Sequence, residues 1–209
     1  IISYLYKQAA DLVISKDNND IERKFWKDDF SVDSSSQYTG DVADFTWDTA
    51  NKEVNLVAGA SHSHSGLISN HTHNLGGGVK ISFSLKNNNT SSVYQGGIII
   101  GTANGISYRC TIGQSGTTSF VYVMEGITLI GRDFGQRSNY NVNDGEYHRY
   151  ELTISSEGVA TCTIDGIRTG GKYTLPTSIQ INPGPYGGAA LNSTVYWKDF
   201  SVVPSISYA

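Results

Sequence analysis

The chain has 209 residues, of which 38% are hydrophobic and only 16% charged, with 23 glycines, 4 prolines and 13 tyrosines, so it can bury one sizeable core and is not a disordered segment. Fifteen Lys and Arg against nineteen Asp and Glu leave a formal net charge of −4, which argues against nucleic acid as a partner. Apolar runs such as Gly96 to Gly101 and Ile127 to Ile130 are far too short for a membrane span of about 20 residues.

The first residue is Ile1, and no signal-like segment follows it, so the chain reads as a processed form or a piece of something longer. Within residues 1–24, Ile2, Leu5, Ala9 and Leu12 recur at three and four residues, the spacing of an amphipathic helix. That segment is either a short helix packed on its own domain or two heptads of a coiled-coil neck, a trimerisation element. The polar run Lys16-Asp17-Asn18-Asn19-Asp20 ends it.

From Phe25 onward the pattern changes to period two, with strand-like stretches divided by Gly, Asn, Asp and Ser clusters. Trp26-Lys27-Asp28-Asp29-Phe30-Ser31-Val32 is nearly repeated as Trp197-Lys198-Asp199-Phe200-Ser201-Val202. The two copies are too distant for a tandem repeat and are expected to lie side by side in one sheet, closing the sandwich with both termini near one edge. Strands are expected at Glu53 to Val57, Gly66 to Ser69 and Val79 to Lys86, the last with every odd position apolar. Others are expected at Gly97 to Gly101, Ile106 to Ile112, Ser119 to Met124, Tyr147 to Ile154, Val159 to Ile164, Ser178 to Ile181 and Thr194 to Val203. About ten strands without intervening helices predict an all-β, antiparallel two-sheet sandwich over residues 25–209.

Ser61 to Asn74 gathers four of the five histidines into two His-x-His pairs, His62 with His64 and His71 with His73. Residues two apart on a strand share a side, so each pair can present two imidazoles to one transition-metal ion. The alternative is polar loop ends with incidental histidines, since no cysteine or carboxylate stands close enough to complete a ligand set. Calcium is left open: Asp and Asn are common in the loops, but no ordered run of them resembles a dedicated site. Cys110 and Cys162 are compatible with one disulfide or with two buried thiols. Asn70 and Asn192 begin Asn-x-Thr and Asn-x-Ser/Thr-type sequons that matter only in a eukaryotic secretory setting.

At Asn143-Asp144-Gly145-Glu146-Tyr147-His148-Arg149-Tyr150-Glu151-Leu152, followed by a strand ending in Ile164-Asp165-Gly166, the sequence resembles the concanavalin A-like lectin/glucanase superfamily, especially its laminin G-like members. Asp28-Asp29-Phe30-Ser31 and Val195 to Val202 resemble the opening and closing strands of that family. The resemblance implies a jelly roll whose loops recognise carbohydrate. Alternation alone turns His148 toward the core with Tyr150, Leu152 and Ile154, which makes it a structural histidine. Asp165-Gly166 is a hairpin turn.

The candidate ligand-binding residues are Arg132, Asp133, Arg137, Asn139 and Tyr140 in a Gly-bounded loop from Gly131 to Asn141, and Tyr186 in a second loop at Asn182 to Gly188. Aromatic faces for sugar C–H surfaces and planar polar groups for hydroxyl pairs are what glycan recognition requires. The paired carboxylates of jelly-roll glucanases and the Gln-x-His strand of sandwich lyases are missing. The expected function is therefore non-catalytic recognition of a surface glycan or receptor, outside the cell or on a virion. The His-x-His pairs also resemble metal-binding repeats of trimeric phage tail fibres, which points to the terminal module of a viral or phage fibre. The alternative is a carbohydrate-binding module of a secreted polysaccharide-degrading protein, and the third is a glycosidase or lyase with an atypical site.

Overall fold

The computed structural model describes residues 26–58, 65–73, 75–87, 94–126, 128–187 and 193–205. The expected helical neck at residues 1–24 and the pair His62 and His64 lie outside them. The strands are β1 (Trp26–Asp28), β2 (Tyr38–Gly40), β3 (Phe45–Asp48), β4 (Glu53–Ala58), β5 (Leu67–Ser69), β6 (Val79–Asn87), β7 (Tyr94–Ala103), β8 (Ile106–Ser115), β9 (Thr118–Glu125), β10 (Thr128–Arg137), β11 (His148–Ile154), β12 (Val159–Ile164), β13 (Ile167–Arg168), β14 (Tyr173–Thr174), β15 (Gly184–Tyr186) and β16 (Ser193–Pro204).

A nine-stranded sheet has the order β13-β12-β11-β6-β16-β4-β3, with β1 joined to β16 and β14 to β12. A five-stranded sheet has the order β10-β9-β8-β7-β15, and β2 pairs β5 in a two-stranded sheet. The architecture is all-β and jelly-roll-like, with three sheets rather than the two expected. Every pairing between these strands is antiparallel.

Alternation explains the core. Ile81, Phe83 and Leu85 of β6, Tyr150, Leu152 and Ile154 of β11, and Val195 and Trp197 of β16 meet Ile98, Ile100, Cys110, Ile112, Val121 and Val123 of the five-stranded sheet in one buried cluster. Their partners at intervening positions, such as Lys80, Ser84 and Lys86, are less buried.

The two Trp-Lys-Asp segments do pair. Trp26 stands opposite Val202, Lys27 opposite Ser201 and Asp28 opposite Phe200. β16 lies inside the sheet, keeping β6 on one side from Val195 to Pro204 and exchanging β4 for β1 on the other, whereas β1 pairs β16 alone among the described strands. A bulge between Lys198 and Ser201, with Asp199 at φ 51°, makes that exchange. Buried Asp28 holds the β1 exit: it accepts bonds from Phe30 N (2.9 Å), Ser34 Oγ (2.6 Å) and Tyr38 Oη (2.9 Å).

Three local expectations are corrected. Gly131 to Arg137 is not loop but the second half of β10, whose register shifts fall at Gly131 and Gly135. Gly135 is there at φ +89°, and a Cβ on it would stand 2.5 Å from the Thr169 carbonyl, so this glycine marks a close approach inside a strand. The Asn182 to Gly188 loop contains β15, which pairs β7 through Gly184, Pro185 and Tyr186. Conversely, Ser178 to Ile181 makes only single bridges, Gln180 to Thr102 and Ile181 to His73.

Candidate functional site

Three of the expected ligand-binding residues lie together where β10 ends, with Arg137 against Tyr140 and Asn139 in the turn between them. Arg137 closes β10, Asn139 occupies the turn after it at φ 54°, and Tyr140 follows. The segment is seated on the β8–β9 hairpin: Tyr140 N donates to the Thr117 carbonyl (2.9 Å), and the Tyr140 carbonyl lies 2.7 Å from Ser119 Oγ. Gln114 Oε1 accepts from Val142 N (3.2 Å). Backbone held at both ends in this way presents Asn139 to solvent without a regular strand to support it.

From the other side come β11 and the β12–β13 turn. Asp165 and Gly166 both have positive φ, 47° and 77°, the geometry of the two-residue hairpin read from the sequence. The turn aims the Asp165 carboxylate at three donors. Oδ1 accepts Arg149 N (2.7 Å), while Oδ2 is shared by His148 Nδ1 (2.8 Å) and Tyr140 Oη. His148 Nε2 faces Asp144 Oδ1 at 3.0 Å, so the buried imidazole sits between two carboxylates. This is the structural histidine that alternation implied. The Arg137 guanidinium covers the Tyr140 ring at 3.3 Å from its centroid and donates to the Ile164 carbonyl (3.0 Å).

Burial alone would raise both carboxyls, but their partners reverse it. Asp144 is held below the ordinary aspartate range by Glu146 N and His148, and Asp165 by Tyr140, His148 and Arg149 N. Burial pushes the Tyr140 phenol up, its bond to Asp165 adds to this, and Arg137 opposes it. The side chains of Asp144 and Asp165 remain 41% and 30% exposed, so fixed acceptor oxygens still reach solvent. Chemically the cluster is a rigid array of acceptors and one stacked cation, suited to hydroxyl recognition more than to proton transfer.

The other expected residues are elsewhere. Arg132 and Asp133 belong to β10, and only their backbone is described. Tyr186 is fully buried on the outer face of the five-stranded sheet with Ile99 and Met124, under the guanidinium of Arg109. His71 stacks on Trp26, ring centroids 5.5 Å apart, and His73 joins Ile181 through a backbone bridge. Among the described residues no three His, Cys, Asp or Glu are grouped to hold a metal ion. Asp144, His148 and Asp165 complete the rim cluster but were not expected as site residues. Their signal was present in the Asp-Gly-x-Tyr-His motif, though only the fold shows that it meets Tyr140.

No protein-family model matches the chain, and no curated protein does. Solved structures do. The Emp46p carbohydrate recognition domain, in its metal-free form, superposes with a TM-score of 0.59 at 9% identity, over 86% of this chain and 95% of that one. The carbohydrate-binding module CBM66 from Bacillus subtilis gives 0.58 at 7% identity, over 80% and 95%. A structure from work on endo-acting O-glycanases of the human gut microbiota gives 0.60 at 13% identity, over 86% and 98%. What these structures share with the chain is the fold, an all-β jelly roll.

Proposed function

We propose that this chain is a non-catalytic carbohydrate-binding module acting outside the cell, with residues 25–209 as its domain and the rim of Arg137, Asn139 and Tyr140 as its sugar-contacting surface. One observation carries the reading. Three residues chosen from the sequence for glycan chemistry converge with Asp144, His148 and Asp165 into a single braced, partly exposed cluster. Bracing matters because a surface already ordered loses little entropy when it binds.

Similar structures that are a carbohydrate recognition domain and a carbohydrate-binding module support this role over the fibre tip. The fibre reading rests on the neck and the His-x-His pairs, which the described residues reach only at His71 and His73. A glycanase role is supported by the structure from O-glycanase work, by a putative beta-glucanase and by a GH43 protein of which the match covers 39%. Glycoside hydrolysis ordinarily takes two carboxyl groups with one kept protonated, whereas the two of the rim, Asp144 and Asp165, both bond His148 and are both held below the ordinary aspartate range.

The test is a glycan array followed by affinity electrophoresis, with light scattering to fix valency. Arg137→Ala and Asn139→Gly are expected to weaken the bound glycan by about 10-fold or more each, on the scale of one charge-assisted or amide contact. The glycine keeps the positive φ and removes only the amide. Undiminished binding by both variants removes the rim, reducing-end release overturns the non-catalytic role, and a stable trimer restores the fibre.

A further inference from the structure

Among the described residues Arg109 is a cation with no ion-pair partner. It stands in the middle of β8, on the face of the five-stranded sheet turned away from the core, with Ile99 of β7 and Met124 of β9 as its cross-strand neighbours. Its guanidinium is held on two sides. Nε donates to Ser107 Oγ at 3.0 Å, and Cζ lies 4.6 Å above the ring of buried Tyr186.

Nη1 is shut off from solvent and has no hydrogen-bond partner. No ion pair among the described residues includes Arg109. Around it are Ile99, Met124, Tyr186 and the partly buried Ile68, a surround that weakens screening and raises the value of any anion placed there. A guanidinium cannot shed its proton to escape such a position, so an unpaired one carries a standing desolvation cost. The residue as a whole is only partly buried, so the part of this fixed, stacked guanidinium that reaches solvent is arranged for a ligand oxyanion.

We infer that Arg109 anchors an anion-recognising subsite on this face, and that its ligand is the acidic group of a glycan, a carboxylate or a sulfate ester. The partly buried Ser107, two positions away on the same face, accepts from Arg109 Nε and keeps a hydroxyl proton to donate beside it, whereas Thr111 is buried and donates to Met124 Sδ. The chain as a whole is negative, so this recognition is short-ranged and depends on the fork of the guanidinium rather than on a broad field. The inference rests on the carbohydrate-binding reading, although its site is separate from the rim.

Affinity electrophoresis of the full chain at about 0.15 M salt would use three polymers: polygalacturonate, which offers only carboxylate, dextran sulfate, which offers only sulfate, and dextran, which offers neither. One of the two acidic polymers is expected to retard the wild type and to raise its melting temperature, with dextran inert. Arg109→Met is expected to weaken that binding by roughly 10- to 100-fold, and Arg109→Lys by about 10-fold through loss of the fork. Without ligand, Arg109→Met is expected to melt at or above the wild-type temperature, since an uncompensated charge has gone; a structural arginine would give a lower one. Failure of both acidic polymers to retard the wild type overturns the subsite, as does wild-type binding by Arg109→Lys. A neutral glycan bound in the array alongside that failure leaves the carbohydrate-binding reading intact, whereas silence from every glycan removes both.

Discussion

The indole nitrogen of Trp197, on β16, donates to the carbonyl oxygen of Gly97, on β7, at 2.7 Å. This bond crosses the buried core from the nine-stranded sheet to the five-stranded sheet. A Cβ on neighbouring Gly96 would lie 3.4 Å from the same ring, so the two strands are closely fitted. Trp197→Phe removes the donor and leaves a carbonyl and a gap in the core. A loss of about 2–4 kcal/mol is expected by urea unfolding, from an unpaired buried acceptor plus a small cavity.

Tyr150 gives the opposite expectation. Its ring stacks on Phe83 at 5.3 Å, yet its hydroxyl is buried with no hydrogen-bond partner, and burial pushes the phenol well above its ordinary range. Tyr150→Phe keeps the stack and deletes the unpaired group. Thermal melting is expected to show unchanged or higher stability, by up to about 1–2 kcal/mol. A clear loss would mean that the hydroxyl has a partner in solution.

The rim cluster links stability to acid pH. Asp144 and Asp165 are depressed in the folded chain, so they bind protons more weakly folded than unfolded, and their contribution is complete above the unfolded aspartate range, near pH 4. It is lost as pH falls through the depressed folded values. Urea midpoints measured from pH 6 to pH 3 are expected to fall in the lower part of that interval. Asp165→Asn should flatten the fall and lower the plateau by about 1–2 kcal/mol, because Tyr140, His148 and Arg149 N lose a charged acceptor.

Cys110 and Cys162 are free, fully buried thiols in the core. Burial is the main reason both are pushed up, Cys162 to about 12, and a thiol held protonated is a poor nucleophile. An aromatic disulfide reagent at pH 8 is therefore expected to leave the native chain unlabelled and to label both cysteines in denaturant. Rapid labelling of the folded chain would place the thiols at the surface.

Much of this architecture was legible in the residues because alternation is local. Ile81, Phe83 and Leu85 announce their inward face, and so do His148, Tyr150 and Leu152. The pairing of the Trp-Lys-Asp segments was legible from their likeness as strands, although Asp28 is buried and Asp199 exposed. Glycine misled in β10, where Gly131 and Gly135 read as loop boundaries but serve as irregularities within a strand. Pro185 similarly concealed β15, a short strand at the end of the five-stranded order.

By itself the sequence determined the strand periodicity, the inward set and the Asp165-Gly166 turn, since each depends on residues only a few positions apart. Tertiary structure alone decided that Tyr140 meets His148 and Asp165, that Tyr186 lies under Arg109 rather than on an exposed loop, and that Arg109 Nη1 is buried without a hydrogen-bond partner. These contacts join strands far apart in the chain, and their distances follow from sheet order and register, which local spacing does not encode.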